Sequence, residues 1–156
     1  MVVTATLDIG QAAPDFRLRG PGGQFVSLSE YKGKKHVVIV FFPLAFSPVC
    51  SHQLPSLEME SPRFSALDAV LLGISVDSHY ANEAFAHALG LSFPLLSDFD
   101  HAVSLAWGML IPEKRYSGRA LFIVDKQGRI AYRDVAPTPA EIPARDAVLA
   151  ALERLA

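Results

Sequence analysis

A chain of 156 residues, 51% hydrophobic and 19% charged, predicts one globular domain that is large enough to bury a core. Its formal net charge of −2 gives no reason to expect nucleic-acid binding, which usually requires a basic patch. The first ten residues lack the features of a secretory signal, and the longest apolar run, residues 37–46, is far shorter than the ~20 residues that span a bilayer. We therefore expect a cytoplasmic protein that does not enter membranes.

The first predicted elements are a hairpin and a buried strand. Glycine and proline residues at 20–23 separate two strand-like segments, which predicts an N-terminal β-hairpin. A continuous run of β-branched and aromatic residues at 36–42 is typical of a central strand buried on both faces. The helix that follows, from about 48 to 67, should kink or break at Pro55 and Pro62.

Strands and helices continue to alternate towards the C-terminus. A buried strand is predicted at 69–76, followed by a helix at 78–89 that has Asp77 or Ser78 as its cap. The remaining predicted elements are a short strand at 94–96, a short helix at 100–107, a hairpin of strands 121–125 and 129–133, and a C-terminal helix at 143–155. This order indicates one α/β domain, in which helices flank a mixed sheet.

Cysteine usage narrows the possible chemistry, because the chain has one cysteine, Cys50. An intramolecular disulfide, a multi-cysteine zinc site and a C-x-x-C exchange site are therefore excluded. Any redox reaction of Cys50 must be completed by a thiol of another molecule. His79 and His87 share a helix face only loosely and no third ligand is evident, so no metal site is predicted.

Cys50 follows a strand-to-helix junction with a distinctive pattern. Pro43 ends the strand, Ser47 is a good N-cap, and Pro48 suits the first helical position. Cys50 then takes the third helical position, where unpaired backbone N–H groups and the helix dipole both stabilise a thiolate. Ser47 and Cys50 have the spacing of a capping box, which predicts that their side chains meet. Without this context, a lone cysteine would be interpreted as a buried structural residue.

The pattern Pro43–x₃–Ser47–x₂–Cys50 matches the Pro–x₃–Thr/Ser–x₂–Cys active-site motif of the peroxiredoxins. Arg119 opens the segment Arg-Ala-Leu-Phe-Ile-Val-Asp, which resembles the family segment that carries an active-site arginine. Further segments resemble family sequence at residues 10–16, 73–78 and 93–98, so the resemblance spans nearly the whole chain. With no second cysteine, the chain is most similar to the one-cysteine alkyl hydroperoxide reductase E subgroup and to bacterioferritin comigratory protein-like members.

The resemblance implies a single thioredoxin-like domain over residues 1–156, and it also implies an enzymatic activity. The implied activity is a thiol peroxidase that reduces hydrogen peroxide and organic hydroperoxides through a sulfenic acid at Cys50. A low-molecular-weight thiol or a thioredoxin-type redoxin would complete the cycle, without a cofactor or metal. The implied catalytic residues are Cys50, Ser47, Arg119 and Pro43, with Gln53 in a secondary role that positions the arginine. We expect the protein to be a homodimer.

Two residues depart from the commoner family pattern. Ser47 replaces a threonine, which keeps the hydroxyl but loses the methyl group that fixes its rotamer. Pro55 stands five residues after Cys50, where some relatives carry a resolving cysteine. Resolution by an external thiol is therefore the only route that the sequence leaves.

Ionisation of the thiol cannot by itself explain a fast peroxidase. A thiol with an ordinary pKa of ~8.5 is already roughly 3% ionised at pH 7, so full ionisation raises the rate at most about 30-fold. Donors fixed beside the leaving oxygen, which becomes negative as the O–O bond breaks, are the stronger means of acceleration. The candidates are the Ser47 hydroxyl, the Cys50 backbone N–H and an arginine, either Arg119 or the second choice Arg115.

Other interpretations stay open at this point. Arg119 could be a surface residue at a strand end, and Gln53 a solvated helix residue. A thioredoxin-fold redox-sensing or binding module is the alternative function, and a cysteine hydrolase with His52 as base is a third, although His52 should point away from Cys50. Phe46 could shield the thiol from water, and Trp107 could join a dimer contact if it lies near the motif.

Overall fold

The structure is a computed structural model that describes residues 7–155, so most of the segment judged for a secretory signal lies outside the described residues. The strands are β1 (Arg17–Arg19), β2 (Phe25–Ser27), β3 (His36–Phe41), β4 (Ala69–Ser75), β5 (Leu95–Ser97), β6 (Leu110–Ile111), β7 (Tyr116–Ser117), β8 (Ala120–Val124) and β9 (Ile130–Val135). The helices are α1 (Pro48–Glu58), α2 (Ser61–Ala66), α3 (His79–Leu89), α4 (Ala102–Ala106) and α5 (Arg145–Leu155). Within residues 7–155, no helix is long and apolar enough to cross a bilayer.

A mixed sheet forms the centre of the fold, with the strand order β2-β1-β5-β4-β3-β8-β9. Its middle strand β3 runs parallel to β4 and antiparallel to β8, and all of its residues are buried, as its apolar run predicts. The predicted hairpins are also present, as β1–β2 and β8–β9. In the antiparallel register Phe41 pairs with Ala120, so the end of β3 lies beside the start of β8.

The two prolines of the long predicted helix behave differently. The helix breaks between α1 and α2, and Pro62 lies in the first turn of α2. The N–H groups of a first turn have no partner within the helix, so a proline costs no hydrogen bond there. Pro55 remains inside α1. The break keeps α1 as a separate helix of 11 residues, with Cys50 in its first turn.

The sheet separates two apolar layers. Val38, Val40 and Phe42 pack with Cys50 and with residues of α1, α3 and α5. Residues of the opposite parity in β3 face the other layer, which contains Trp107. This alternation follows from the two-residue period of a strand. It places the cysteine and the tryptophan on opposite faces of the sheet.

Two details of the fold differ from the sequence prediction. Strands β6 and β7 form a separate two-stranded sheet that was not predicted, because each is only two residues long and has no detectable period. Helix α4 begins at Ala102 rather than at residue 100. His101 has a φ of 66°, a left-handed conformation that a right-handed helix cannot contain.

Candidate active site

The junction between β3 and α1 places Cys50 as the sequence predicts. Pro43 is buried after the end of β3, Ser47 occupies the N-cap position, and Pro48 is the first residue of α1. Cys50 is therefore the third helical residue, in the turn whose N–H groups have no partner within the helix. The thiol has no solvent-exposed area in this conformation.

The predicted contact between the Ser47 and Cys50 side chains is absent. The Ser47 hydroxyl donates to the carbonyl of Leu44 at 2.9 Å, and it makes no capping bond to the helix. A serine hydroxyl readily bonds a nearby carbonyl when the loop brings one within reach. Phe46, with a φ of 67°, provides the turn that brings Leu44 back towards Ser47. Ser47 therefore occupies the predicted N-cap position, but its side chain does not make the contact with Cys50 that the spacing allows.

Arg119 lies beside the thiol. It directly precedes β8, and the pairing of β3 with β8 brings it to the end of β3, where α1 begins. Its side chain is 1% exposed, and its Nη2 donates to Cys50 Sγ at 3.2 Å. A guanidinium at this distance stabilises a thiolate both by its charge and by a hydrogen bond.

Two further contacts hold the guanidinium in place. Its Nη1 donates to Gln53 Oε1 at 2.6 Å, and its Nε donates to the carbonyl of Pro139 at 2.9 Å. Gln53 is buried one turn after Cys50 on α1, so one helix presents both the thiol and the acceptor that orients the arginine. Sequence reasoning missed Pro139, because a backbone carbonyl can come from any residue type and leaves no signal in the sequence.

The remaining predicted candidates, Arg115 and His52, do not lie beside the thiol of Cys50. Arg115 is exposed, with a φ of 63°, in the turn between β6 and β7. His52 is exposed on α1, whereas Cys50 is fully buried, so the geometry does not support a cysteine–histidine pair. Among the described residues, no group of three or more His, Cys, Asp or Glu side chains could hold a metal ion.

Trp107 and Phe46, the two aromatic candidates, lie in different surroundings. Trp107 is fully buried among Phe16, Phe41 and Phe122, on the face of the sheet opposite Cys50. Trp107 therefore does not lie near the motif, which was the condition for a role in a dimer contact, and its indole is enclosed by core residues. Phe46 is 57% exposed, and its ring centroid lies 4.9 Å from that of Phe85.

A model of the AhpC/TSA family matches residues 9–133, a range that contains the Pro43–Cys50 junction and Arg119. The chain belongs to the AhpC/TSA family, the peroxiredoxins. Alkyl hydroperoxide reductase E of Mycobacterium tuberculosis is 40% identical to this peroxiredoxin over 131 residues, which cover 83% of this chain and 86% of the relative. Peroxiredoxin Bcp of Bacillus subtilis is 37% identical over 131 residues, which cover 80% of this chain and 83% of the relative.

Solved structures agree with this assignment. Mycobacterium tuberculosis AhpC matches with a TM-score of 0.86 and 28% identity, over 97% of this chain and 94% of that one. The reduced 2-Cys peroxiredoxin of Plasmodium vivax also matches with a TM-score of 0.86 and 28% identity, over 94% and 81% of the two chains. The predicted thioredoxin-like fold is confirmed. With one cysteine, this peroxiredoxin is a thiol-dependent peroxidase of the one-cysteine type.

Proposed function

We propose that Cys50 is the nucleophile that reduces hydroperoxides and that Arg119 is its principal electrostatic partner. The observation that carries this proposal is the 3.2 Å contact between Arg119 Nη2 and Cys50 Sγ inside a buried site. Electrostatic interactions are stronger in such a site than in water, because little solvent screens them. A charged donor beside the reacting sulfur therefore lies where a peroxide oxygen must approach.

The proposed reaction has two stages. The Cys50 thiolate attacks the terminal oxygen of ROOH, the S–O bond forms as the O–O bond breaks, and the leaving RO⁻ takes a proton from water to give an alcohol. An external thiol then attacks the sulfenic acid, releases water and forms a mixed disulfide. A second external thiol reduces that disulfide and regenerates Cys50.

Three other residues and the backbone of Cys50 complete the proposed site. The backbone N–H of Cys50, free at the helix start, would assist Arg119 in stabilising the leaving oxygen. Gln53 would keep the guanidinium oriented, and Pro43 would end β3 where the loop to α1 begins. Ser47 would contribute less than Arg119, because its hydroxyl proton is already directed at Leu44.

Substrate and reductant follow from the family and the single thiol. Because the relatives named alkyl hydroperoxide reductase E share 40% of aligned residues, organic hydroperoxides as well as hydrogen peroxide are the proposed substrates. The reductant would be a low-molecular-weight thiol or a thioredoxin-type redoxin. We place the protein in the cytoplasm, where such thiols are kept reduced.

A homodimer is the proposed assembly. Several large apolar side chains are exposed, including Leu44 and Phe46 in the loop before α1, and exposed apolar groups often mark protein interfaces. Sedimentation velocity of the reduced protein at micromolar concentration tests this assembly. A single species at the mass of one chain would contradict it.

Intact mass measured during titration with peroxide tests the function. Micromolar peroxide should add one oxygen to the reduced protein within seconds, and excess peroxide should add a second, because no internal thiol traps the sulfenic acid. Cys50→Ser should keep its fold and gain no oxygen, since a serine alkoxide is inaccessible at neutral pH. Oxidation of the wild type over minutes to hours would instead indicate a redox sensor, and a dominant covalent dimer at Cys50 would indicate resolution between subunits.

A further inference from the structure

Asp77 lies two residues after the end of β4 and contacts the loop that precedes the reactive helix. Residues 43–47, which join β3 to α1, are called the active-site loop here. The Oδ2 atom of Asp77 accepts a hydrogen bond from the backbone N–H of Ala45, in the middle of that loop, at 2.7 Å. Asp77 was one of two candidates for the cap of α3, but Ser78 makes that capping bond. The Asp77 carboxylate is therefore directed at the active-site loop rather than at its own helix.

Partly buried hydrogen bonds fix Asp77 to the sheet. The Ser75 hydroxyl, at the end of β4, lies 2.8 Å from the same Oδ2 atom, and Ser75 is fully buried. The Ser97 hydroxyl, at the end of β5, donates to the main-chain carbonyl of Asp77 at 2.6 Å. Ser75 thus holds the carboxylate and Ser97 the main chain of Asp77, at the ends of two strands. The carboxylate therefore acts as a fixed anchor for Ala45.

The active-site loop itself is strained. Phe46 has a φ of 67°, a conformation that a phenylalanine adopts only when its surroundings require it. The Phe46 ring packs on Phe85 of α3, so an aromatic contact and the Asp77 hydrogen bond hold neighbouring residues of the loop. If the Asp77 contact were lost, the loop could relax and the start of α1 would shift with it.

We propose that Asp77 is a positioning residue, which holds the active-site loop so that Cys50 and Arg119 are aligned for attack on a peroxide. This inference rests on the proposed function, since it concerns the same thiol. Asp77 does not touch the sulfur, and it acts through Ala45 and the first turn of α1. Displacement of reacting groups by about 1 Å can slow a reaction on the order of a hundredfold, so a weakened anchor has a measurable effect.

The test compares Asp77→Ala with Asp77→Asn. The alanine variant loses both contacts of Oδ2, and its rate of oxidation by hydrogen peroxide should fall about ten- to a hundredfold at a pH where the thiol is ionised. The asparagine variant keeps one acceptor oxygen for Ala45 and Ser75, so it should recover most of the rate without the charge. Alkylation of Cys50 by iodoacetamide should change little in either variant, because attack on carbon needs no donor for a leaving oxygen.

Two further variants separate a positioning role of Asp77 from a loss of charge elsewhere and from a failure to fold. Asp100→Ala removes an exposed aspartate, and it should keep the wild-type oxidation rate. If Asp77→Ala does not fold, Asp77→Glu replaces it, because the longer side chain keeps the charge but displaces the carboxylate, and its oxidation should be slow.

Three results would overturn the inference. One is an oxidation rate in Asp77→Ala equal to that of the wild type. Another is an oxidation rate in Asp77→Asn as low as that in Asp77→Ala. The third is a loss of alkylation rate in Asp77→Ala equal to its loss of oxidation rate. Slow oxidation of the wild type itself would instead refute the proposed function.

Discussion

At the scale of single residues, the contacts of Arg119 support its proposed role beside the thiol. Its three hydrogen bonds, to Cys50, Gln53 and Pro139, use nitrogen atoms on different sides of one planar group. A guanidinium held in this way needs little reorganisation when charge develops on a substrate oxygen. Its role should therefore exceed that of a group that only favours ionisation of the thiol.

Arg119→Met distinguishes these two roles. We expect its second-order rate of oxidation by hydrogen peroxide to fall on the order of 10²–10³-fold at pH 7, beyond the ceiling of about 30-fold for ionisation. Rates measured from pH 6 to pH 10 should retain a deficit of roughly tenfold or more where both thiols are fully ionised. Recovery of the wild-type rate at high pH would mean that Arg119 acts on ionisation alone.

Arg115→Met is the matched control, because it removes the same charge from an exposed turn that does not contact Cys50. Its oxidation rate should equal that of the wild type across the same pH range. A deficit in this variant, with none in Arg119→Met, would show that the wrong arginine had been chosen.

Sequence reasoning located the main side chains of the site but not their finer contacts. The motif identified Cys50, and the resemblance singled out Arg119 and Gln53, which the structure brings together. The direction of the Ser47 hydroxyl was predicted wrongly, because it depends on the positive φ of Phe46, and phenylalanine gives no sign of that conformation. The carbonyl of Pro139 was not predicted, because every residue type has a backbone carbonyl and the sequence gives no signal for one that accepts a bond.

At the scale of elements, the two serines before α1 and α3 look alike in sequence and differ in structure. Ser78 accepts a hydrogen bond from Ala81 N at 3.1 Å and caps α3. Ser47 occupies the same position before α1, but its hydroxyl bonds Leu44 instead. Sequence predicted both helix starts, because capping residue types are informative, yet the hydroxyl direction depends on the loop.

Serine-to-alanine substitutions at both positions should separate stability from activity. Ser78→Ala should lower the free energy of unfolding by about 1 kcal/mol, because one N–H of α3 loses its acceptor, and it should leave peroxide oxidation nearly unchanged. Ser47→Ala should cost less stability but slow oxidation modestly, at every pH. Urea unfolding and stopped-flow oxidation measure the two quantities. The reverse assignment, with Ser47→Ala the less stable variant, would contradict the observed hydrogen bonds.

At the scale of the whole molecule, the long alternating elements were predictable and the shortest ones were not. Continuous apolar runs identified β3 and β4, and capping residues or an apolar face identified the larger helices, because burial and capping leave signals over several residues. Strands β6 and β7 were missed because two residues carry no period. The order of strands in the sheet, which brings Arg119 to Cys50, is a long-range property that no local pattern contains.

Ionisable groups outside the site make stability depend on pH in two separate ranges. Hydrogen bonds from Lys126 and Lys35 lower the pKa of Asp68 to about 2. A lowered carboxyl pKa contributes stability that is complete above the unfolded value of 3.8 and is lost as the pH falls towards 2. Asp68 is exposed, so salt should weaken this contribution. Burial lowers the pKa of His36, and Lys126 has a smaller effect in the same direction. Because a histidine titrates at a higher pH than a carboxyl group, His36 affects stability in a higher pH range.

His36→Phe tests the higher range. Because the folded pKa of His36 lies below the unfolded value of 6.5, the unfolded chain binds more protons between the two values, and wild-type stability should fall as the pH drops through 6.5 towards the folded pKa. Phenylalanine cannot titrate, so the urea midpoint of His36→Phe should depend less on pH in this range. His87→Gln, which removes an exposed imidazole, should keep the wild-type slope. An equal loss of slope in His87→Gln would mean that overall charge, and not burial of His36 at the start of β3, sets the dependence.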